Sequence, residues 1–250
     1  MTDIDTSNID GSYVVSYANF LNNCKSLVNA IGLEGLVGKS CRAINGFFSG
    51  CSLPYFDVSV WDTSNVRDMS GLLASTKFED YSFIENINME NVIDLSQFVY
   101  GSTIEELRLN LTGVTKTCSQ FVRGCNNLRS IYGLNDRVNN YYQAFAFTNN
   151  INYIDSIDFT NCTNFRTPFY AFNGKLEKLN IKGTINKNIS DNTSIMPNSI
   201  TREGILEYLN ALIDYSSEGV TYTLNVGGTN LAKLTDNDIT IATNKGWSIV

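Results

Sequence analysis

A short phrase returns along this chain every 23 to 27 residues: a large apolar lead, a small residue four positions on, then an aliphatic one. Phe20-Leu21-Asn22-Asn23-Cys24-Lys25-Ser26-Leu27 and Phe121-Val122-Arg123-Gly124-Cys125-Asn126-Asn127-Leu128 are nearly superimposable copies. Phe47–Leu53 and Phe98–Ile104 lack one residue before the aliphatic, and weaker copies run through Leu72–Phe78, Ala144–Ile151 and Phe169–Leu176. A fixed period in this range implies a stack in which each repeat buries its apolar face against its neighbours. Such a stack offers surface more readily than a catalytic pocket.

Between the phrases lie alternating runs. Leu107-Arg108-Leu109-Asn110-Leu111 and Leu176-Glu177-Lys178-Leu179-Asn180-Ile181 are the clearest, with Phe56–Val60 and Ile154–Phe159 similar. Period-two alternation predicts one short strand per repeat, stacked in parallel into one long sheet. The phrase is then expected to form a short helix on the opposite side. The fold class that follows is α/β, a leucine-rich-repeat-like solenoid over residues 1–185 with one parallel strand and one short helix per repeat. Residues 186–199 read as a polar loop.

From residue 200 to 250 the pattern changes. Ile205, Leu206, Leu209, Leu212 and Ile213 form a helical stripe, and Val220–Val226 alternates as a strand ended by Gly227-Gly228. Thr235 with Asp238 suggests a capping box, Lys245-Gly246 a helix stop, and Trp247–Val250 a last strand. A helix–strand–helix–strand cap is the expected reading.

Composition removes several functions. The chain has no histidine, which takes away the commonest general base and metal ligand. A net charge of −7 argues against nucleic acid. No run approaches the length of a membrane span. Asparagine, about one residue in eight, suits tight turns. Of six cysteines, Cys24, Cys51 and Cys125 share one repeat position, where Thr76, Ser102, Thr148 and Asn173 also stand. That column calls for a small half-polar group, so all six are expected to be reduced. The start Met1-Thr2-Asp3-Ile4-Asp5-Thr6 is polar and acidic, unlike a secretory signal, and export by the general secretory route is not expected.

Trp61-Asp62-Thr63-Ser64-Asn65-Val66-Arg67-Asp68-Met69-Ser70 closely resembles the W-D-T-S-N-V-x-x-M-S core of the BspA-type leucine-rich repeats of bacterial surface proteins. The segment Leu231–Asp236 with Ile241–Trp247 is similar to one that closes repeat proteins of gut bacteria and their phages. The resemblance implies surface attachment without enzymatic activity, and it transfers no catalytic residue.

Paired acids at Glu79-Asp80 and Glu105-Glu106 read as solvated surface, and Asp5, Asp62 and Asp68 as turn caps, not a calcium site. No catalytic residue, metal or cofactor is expected. The candidate contact residues are Tyr141, Tyr142 and Tyr170 from the aromatic clusters, and Arg108, Asn110, Lys178 and Asn180 from outward strand positions, beside Asp57 and Ser59. The expected function is that of a non-enzymatic phage virion protein, a tail, fibre or head-appendage component assembled in the host cytoplasm. Its partners would be other virion proteins or a host-surface protein or glycan, with a homo-oligomer possible. The alternatives are a bacterial cell-surface adhesin module and an intracellular protein-interaction repeat protein.

Overall fold

Two left-handed residues, four apart, recur in every copy of the phrase: Asn19 and Asn23, Gly46 and Gly50, Gly71 and Ser75, Gln97 and Gly101, Gln120 and Gly124, Gln143 and Phe147, Thr167 and Ala171. Their φ values lie between 44° and 74°. A right-handed helix cannot pass through such positions, so the phrase folds as something else. In the computed structural model, which describes residues 1–189 and 195–250, it is a ribbon of successive tight turns.

Alternate amides in the ribbon do different work. The N–H groups of Phe20, Asn22 and Cys24 close turns on the carbonyls of Tyr17, Asn19 and Leu21. Those of Tyr17, Asn19, Leu21 and Asn23 donate instead to Ala43, Asn45, Phe47 and Ser49 in the next copy. The following ribbons repeat this scheme, for example Met69, Gly71, Leu73 and Ser75 onto Asp94, Ser96, Phe98 and Tyr100. Parallel bridges join the ribbon entries in the order Ser16, Ala43, Asp68, Asp94, Thr117, and Asn140 to Asn164. At several entries a side chain caps the turn, as when Asp68, Asp94 and Asn140 accept the N–H two residues on.

The expected leucine-rich-repeat solenoid is therefore not what the chain builds. No α-helix occurs among the described residues before residue 202, and the strands make small parallel sheets that never join. β1 (Asp3–Asp5) pairs with β2 (Asn29–Ile31). β3 (Glu106–Arg108) leads a three-stranded sheet, β4 (Lys116–Thr117) pairs with β6 (Val138–Asn140), and β5 (Ser130–Tyr132) lies between β3 and β7 (Tyr153–Ile154). β8 (Ile157–Asp158) pairs with β9 (Ile181–Lys182). Phe56–Val60, expected as a strand, ends in a 3-10 turn at Val58–Val60 because Asp57 accepts the Ser59 N–H at 2.9 Å and bends the chain. Turn chemistry cuts each apolar run to two or three paired residues.

The core lies between ribbons and sheets. Leu21, Phe48, Leu73, Val99, Val122, Phe145 and Phe169 hold one ribbon position in seven successive copies, and all are buried. Fully burying one such side chain stabilises the fold by about 1.5–3 kcal/mol. In the cysteine column, Thr76 and Thr148 donate to the carbonyls of Leu73 and Phe145, both at 2.7 Å, and Cys125 donates to Val99 at 2.9 Å. Asn173 is not in that column; it is exposed, one residue beyond the half-buried Phe172 that holds the position. Asparagines also cross between copies, with Asn91 donating to the Ser64 carbonyl at 2.7 Å and Asn161 to that of Asp136 at 2.7 Å.

Past the stack, α1 (Arg202–Ala211) starts from Thr201, whose side chain accepts the Gly204 N–H. β10 (Tyr222–Leu224) pairs in parallel with β11 (Trp247–Ile249), and α2 (Gly228–Leu231) and α3 (Asp236–Thr243) lie between them in sequence. Thr235 and Asp238 form a reciprocal capping box, and Asp238 also takes a two-pronged ion pair from Arg202 at 2.6 and 2.8 Å. Lys245 donates to the carbonyls of Leu209, Asn210 and Leu212 at the end of α1. Of the expected polar loop, residues 190–194 lie outside the described residues, while Lys187–Ile189 makes a 3-10 turn and Ile195 and Met196 are buried.

Among the described residues, one cation sits in the core. A register shift between Lys116 and Thr117 turns the Lys116 side chain inward, whereas Arg67 and Ile93, its counterparts in earlier copies, face solvent. The ammonium donates to the carbonyls of Val92 at 3.0 Å and Val114 at 2.9 Å, and burial pushes its pKa down to about 8. The unfolded chain therefore holds more protons between about pH 8 and pH 10.5, so stability should rise across that window in urea melts. Lys116→Met should flatten that rise. Asp238 shows the opposite sign: its carboxyl is held well below the usual range, first by the Arg202 hydrogen bonds. Its contribution is present above the unfolded pKa and is lost as pH falls below it, so Asp238→Asn should lower Tm at pH 7 and reduce the acid sensitivity of the melt.

Candidate functional site

The three-stranded sheet sets out one exposed row. Its parallel register places Glu106 beside Ser130 and Ser130 beside Tyr153, with Arg108 beside Tyr132. Leu107, Ile131 and Ile154 point into the core, so the alternate side chains face out. The Arg108 guanidinium lies 4.2 Å from the centre of the Tyr132 ring, and the Tyr132 and Tyr153 rings are 5.2 Å apart. Glu106 holds the Arg108 Nε at 2.6 Å and accepts the Ser130 hydroxyl at 3.2 Å. The hydrogen bond to Glu106 raises the Arg108 pKa further, so the guanidinium stays charged and paired with the Glu106 carboxylate. Tyr153 is 47% exposed.

A groove opens at each end of this row. One, of about 590 Å³, is lined by Glu79, Asp80, Glu85, Glu105, Glu106 and Arg108. The paired acids, expected as solvated surface, share a wall of this groove, because the 3-10 turn Ser82–Asn86 packs beside β3. No group of three or more acidic or thiol side chains among the described residues is placed to hold a metal ion. The other groove, of about 760 Å³, includes Tyr153, Asp155, Lys175, Glu177, Lys178 and Asn180. The first groove is acidic apart from Arg108, and the second mixes Lys175 and Lys178 with Asp155, Glu177 and Glu207.

The structure sorts the expected contact residues. Arg108, Lys178 and Asn180 come together along this face, and Asn110 is exposed just beyond β3 but joins neither groove. Tyr170 is exposed on the ribbon side, and Tyr142 is half-buried with its N–H donated to Asn140. Tyr141 is a correction. It occupies the inward ribbon position of Ile44, Met69, Leu95 and Cys118, is fully buried, and packs on Phe165 at 5.5 Å. Burial pushes its phenol well above the usual range. Asp5 and Asp62 accept from Ser7 and Ser64, and Asp68 from Ser70, as turn caps.

Tyr132 and Tyr153 did not stand out in the sequence. Each sits beside a single isoleucine in a run too short to show alternation; the parallel register sets Tyr132 against Arg108, and Tyr153, beside Ser130, meets the Tyr132 ring diagonally. The fold is a parallel stack of turn ribbons, and this face presents an exposed row of aromatic and charged side chains. Residues 42–110 match a family described as Mycoplasma protein of unknown function, DUF285, which is related to the BspA-like repeats. No curated protein and no solved structure matches the chain. No helix among the described residues is long and apolar enough to cross a membrane.

The thiols are poor nucleophiles here. All six are free, five are buried, and burial raises Cys125 to about 11 and Cys162 to about 12. A thiol reagent at pH 8 should therefore titrate Cys24 alone in the native protein and all six in guanidinium.

Proposed function

We propose that the chain is a non-enzymatic attachment protein whose sheet face docks a protein partner, either a host-surface protein or a neighbouring protein of a phage particle. The observation that carries this reading is the Arg108–Tyr132–Tyr153 row, pinned by Glu106 on a backbone-bonded sheet. Arg and Tyr are the side chains that dominate protein interfaces, and a row already held in place loses little freedom on binding. An acidic groove at one end and a groove of mixed charge at the other would orient the partner. The absence of histidine and the raised thiol pKa values fit a protein without acid–base or nucleophilic chemistry. A virion setting follows from the resemblance of the closing segment to that of phage repeat proteins, and a bacterial cell surface is the alternative setting.

The test is saturable binding of labelled protein to intact bacterial cells and to purified particles, before and after protease treatment of each. Protease-sensitive binding, weakened about ten-fold or more by Tyr132→Ser with Tyr153→Ser at unchanged Tm, is the expected result. Binding equal in the double variant, or no saturable binding to either target, would overturn the reading.

A further inference from the structure

On the ribbon side of the stack, away from that sheet face, the copies of the phrase, residues 17–27, 44–53 and 69–78 included, differ from the rest of the chain in lacking acids. Residues 95–104, 118–128, 141–151 and 165–176 contain no Asp or Glu, although the protein as a whole carries 25 acids and a net charge of −7. Their charged residues are Arg123, Arg166 and Lys175, the last of which lines the groove on the sheet side. Side chains on this face are ordered by one another. Gln97 donates to Gln120 at 2.6 Å, and Gln120 to Gln143 at 3.3 Å, in a ladder that climbs the stack. A second amide ladder runs from Asn173 to Asn149 at 3.1 Å and from Asn149 to Asn126 at 2.6 Å.

Between the two ladders lie rings. Phe147 is 40% exposed and Tyr170 54%, with their rings edge to face at 5.4 Å. The Arg123 guanidinium lies 4.5 Å from the centre of the Phe147 ring and donates to the Gln143 amide oxygen. A guanidinium has five N–H donors, so most of those on Arg123 remain for a ligand. Phe147 also occupies a left-handed position, φ 56°, where earlier copies use Asn23, Gly50, Ser75, Gly101 and Gly124. A bulky ring is strained there, and strain of this kind is retained where the surroundings or a function require the side chain.

We propose that this ribbon face is a binding site for an acidic polysaccharide, laid along the stack axis. The apolar faces of sugar rings would rest on Phe147 and Tyr170. Vicinal hydroxyls suit the paired donors and acceptors of side-chain amides, which the two ladders hold at the spacing of neighbouring strands, about 4.8 Å. Arg123 takes a carboxylate, and the lack of acids across four copies leaves nothing on those segments to repel it. The site is separate from the sheet face and does not depend on what docks there.

The probe is polygalacturonate, which carries a carboxylate on every ring, compared with its carboxyl-reduced form by calorimetry on the whole protein. Wild type should bind the acid polymer about ten-fold or more tightly than the reduced one, with a loss of affinity in added salt. Arg123→Gln should remove that preference. Phe147→Asn, which suits the left-handed backbone, should lose about ten-fold in affinity with Tm unchanged or raised. Tyr153→Ser on the sheet face should bind as wild type does, which separates this site from the protein-docking face. No binding to the acid polymer, equal binding to both polymers, or full binding by Arg123→Gln and Phe147→Asn would each overturn the proposal.

Discussion

Everything in the stack depends on how alternate backbone amides are divided within each ribbon. One set closes tight turns inside the copy, and the other set reaches the next copy. A left-handed residue stands at two fixed places in each ribbon, where it keeps the tight turns from continuing as a right-handed helix. Most of the amides that donate to the next copy belong to residues whose neighbours fill the core, so hydrogen bonding and apolar burial reinforce each other. A copy deprived of its neighbour would lose both at once, which makes each copy's stability a property of the stack.

Side chains complete what the backbone leaves open. Asp and Asn cap the ribbon entries, and further asparagines donate across copies to carbonyls that would otherwise lack a partner. The abundance of asparagine thus serves both the turns and the joints between them. Thr, Ser and Cys share a buried column because each can donate to a nearby carbonyl while filling little space. Lys116 departs from the pattern through a register shift that turns a surface position into a core one. It carries the pH dependence expected of a buried cation held by the Val92 and Val114 carbonyls.

The two exposed faces divide by charge. The sheet face mixes acids, lysines and a pinned Arg–Tyr–Tyr row, as suits a protein partner. The ribbon face of the last four copies lacks acids and carries amide ladders with rings between them, as suits a polyhydroxylated anion. Both faces rest on backbone that is bonded from copy to copy, so their side chains are presented from a fixed frame. That frame is what allows short, separate sequence segments to act as one surface.

Much of the repeat was legible in the sequence: its period, the column of small half-polar residues, the turn role of Asp-Thr-Ser-Asn, and the change of pattern near residue 200. These are local signals, since spacing, side-chain size and turn chemistry act within a few residues. The shape of the phrase was not legible. An apolar lead followed by Gly-Cys and Leu reads equally as a helical turn or as a turned ribbon, and the left-handed Gln97, Gln120, Gln143 and Phe147 carry no local mark of their backbone. Nor could spacing alone put Tyr141 inside and Tyr170 outside, or set Arg108 against Tyr132. Those outcomes required the copies to stack, because burial and cross-copy contact are decided by parallel register, and register exists only between segments that have already met in the tertiary structure.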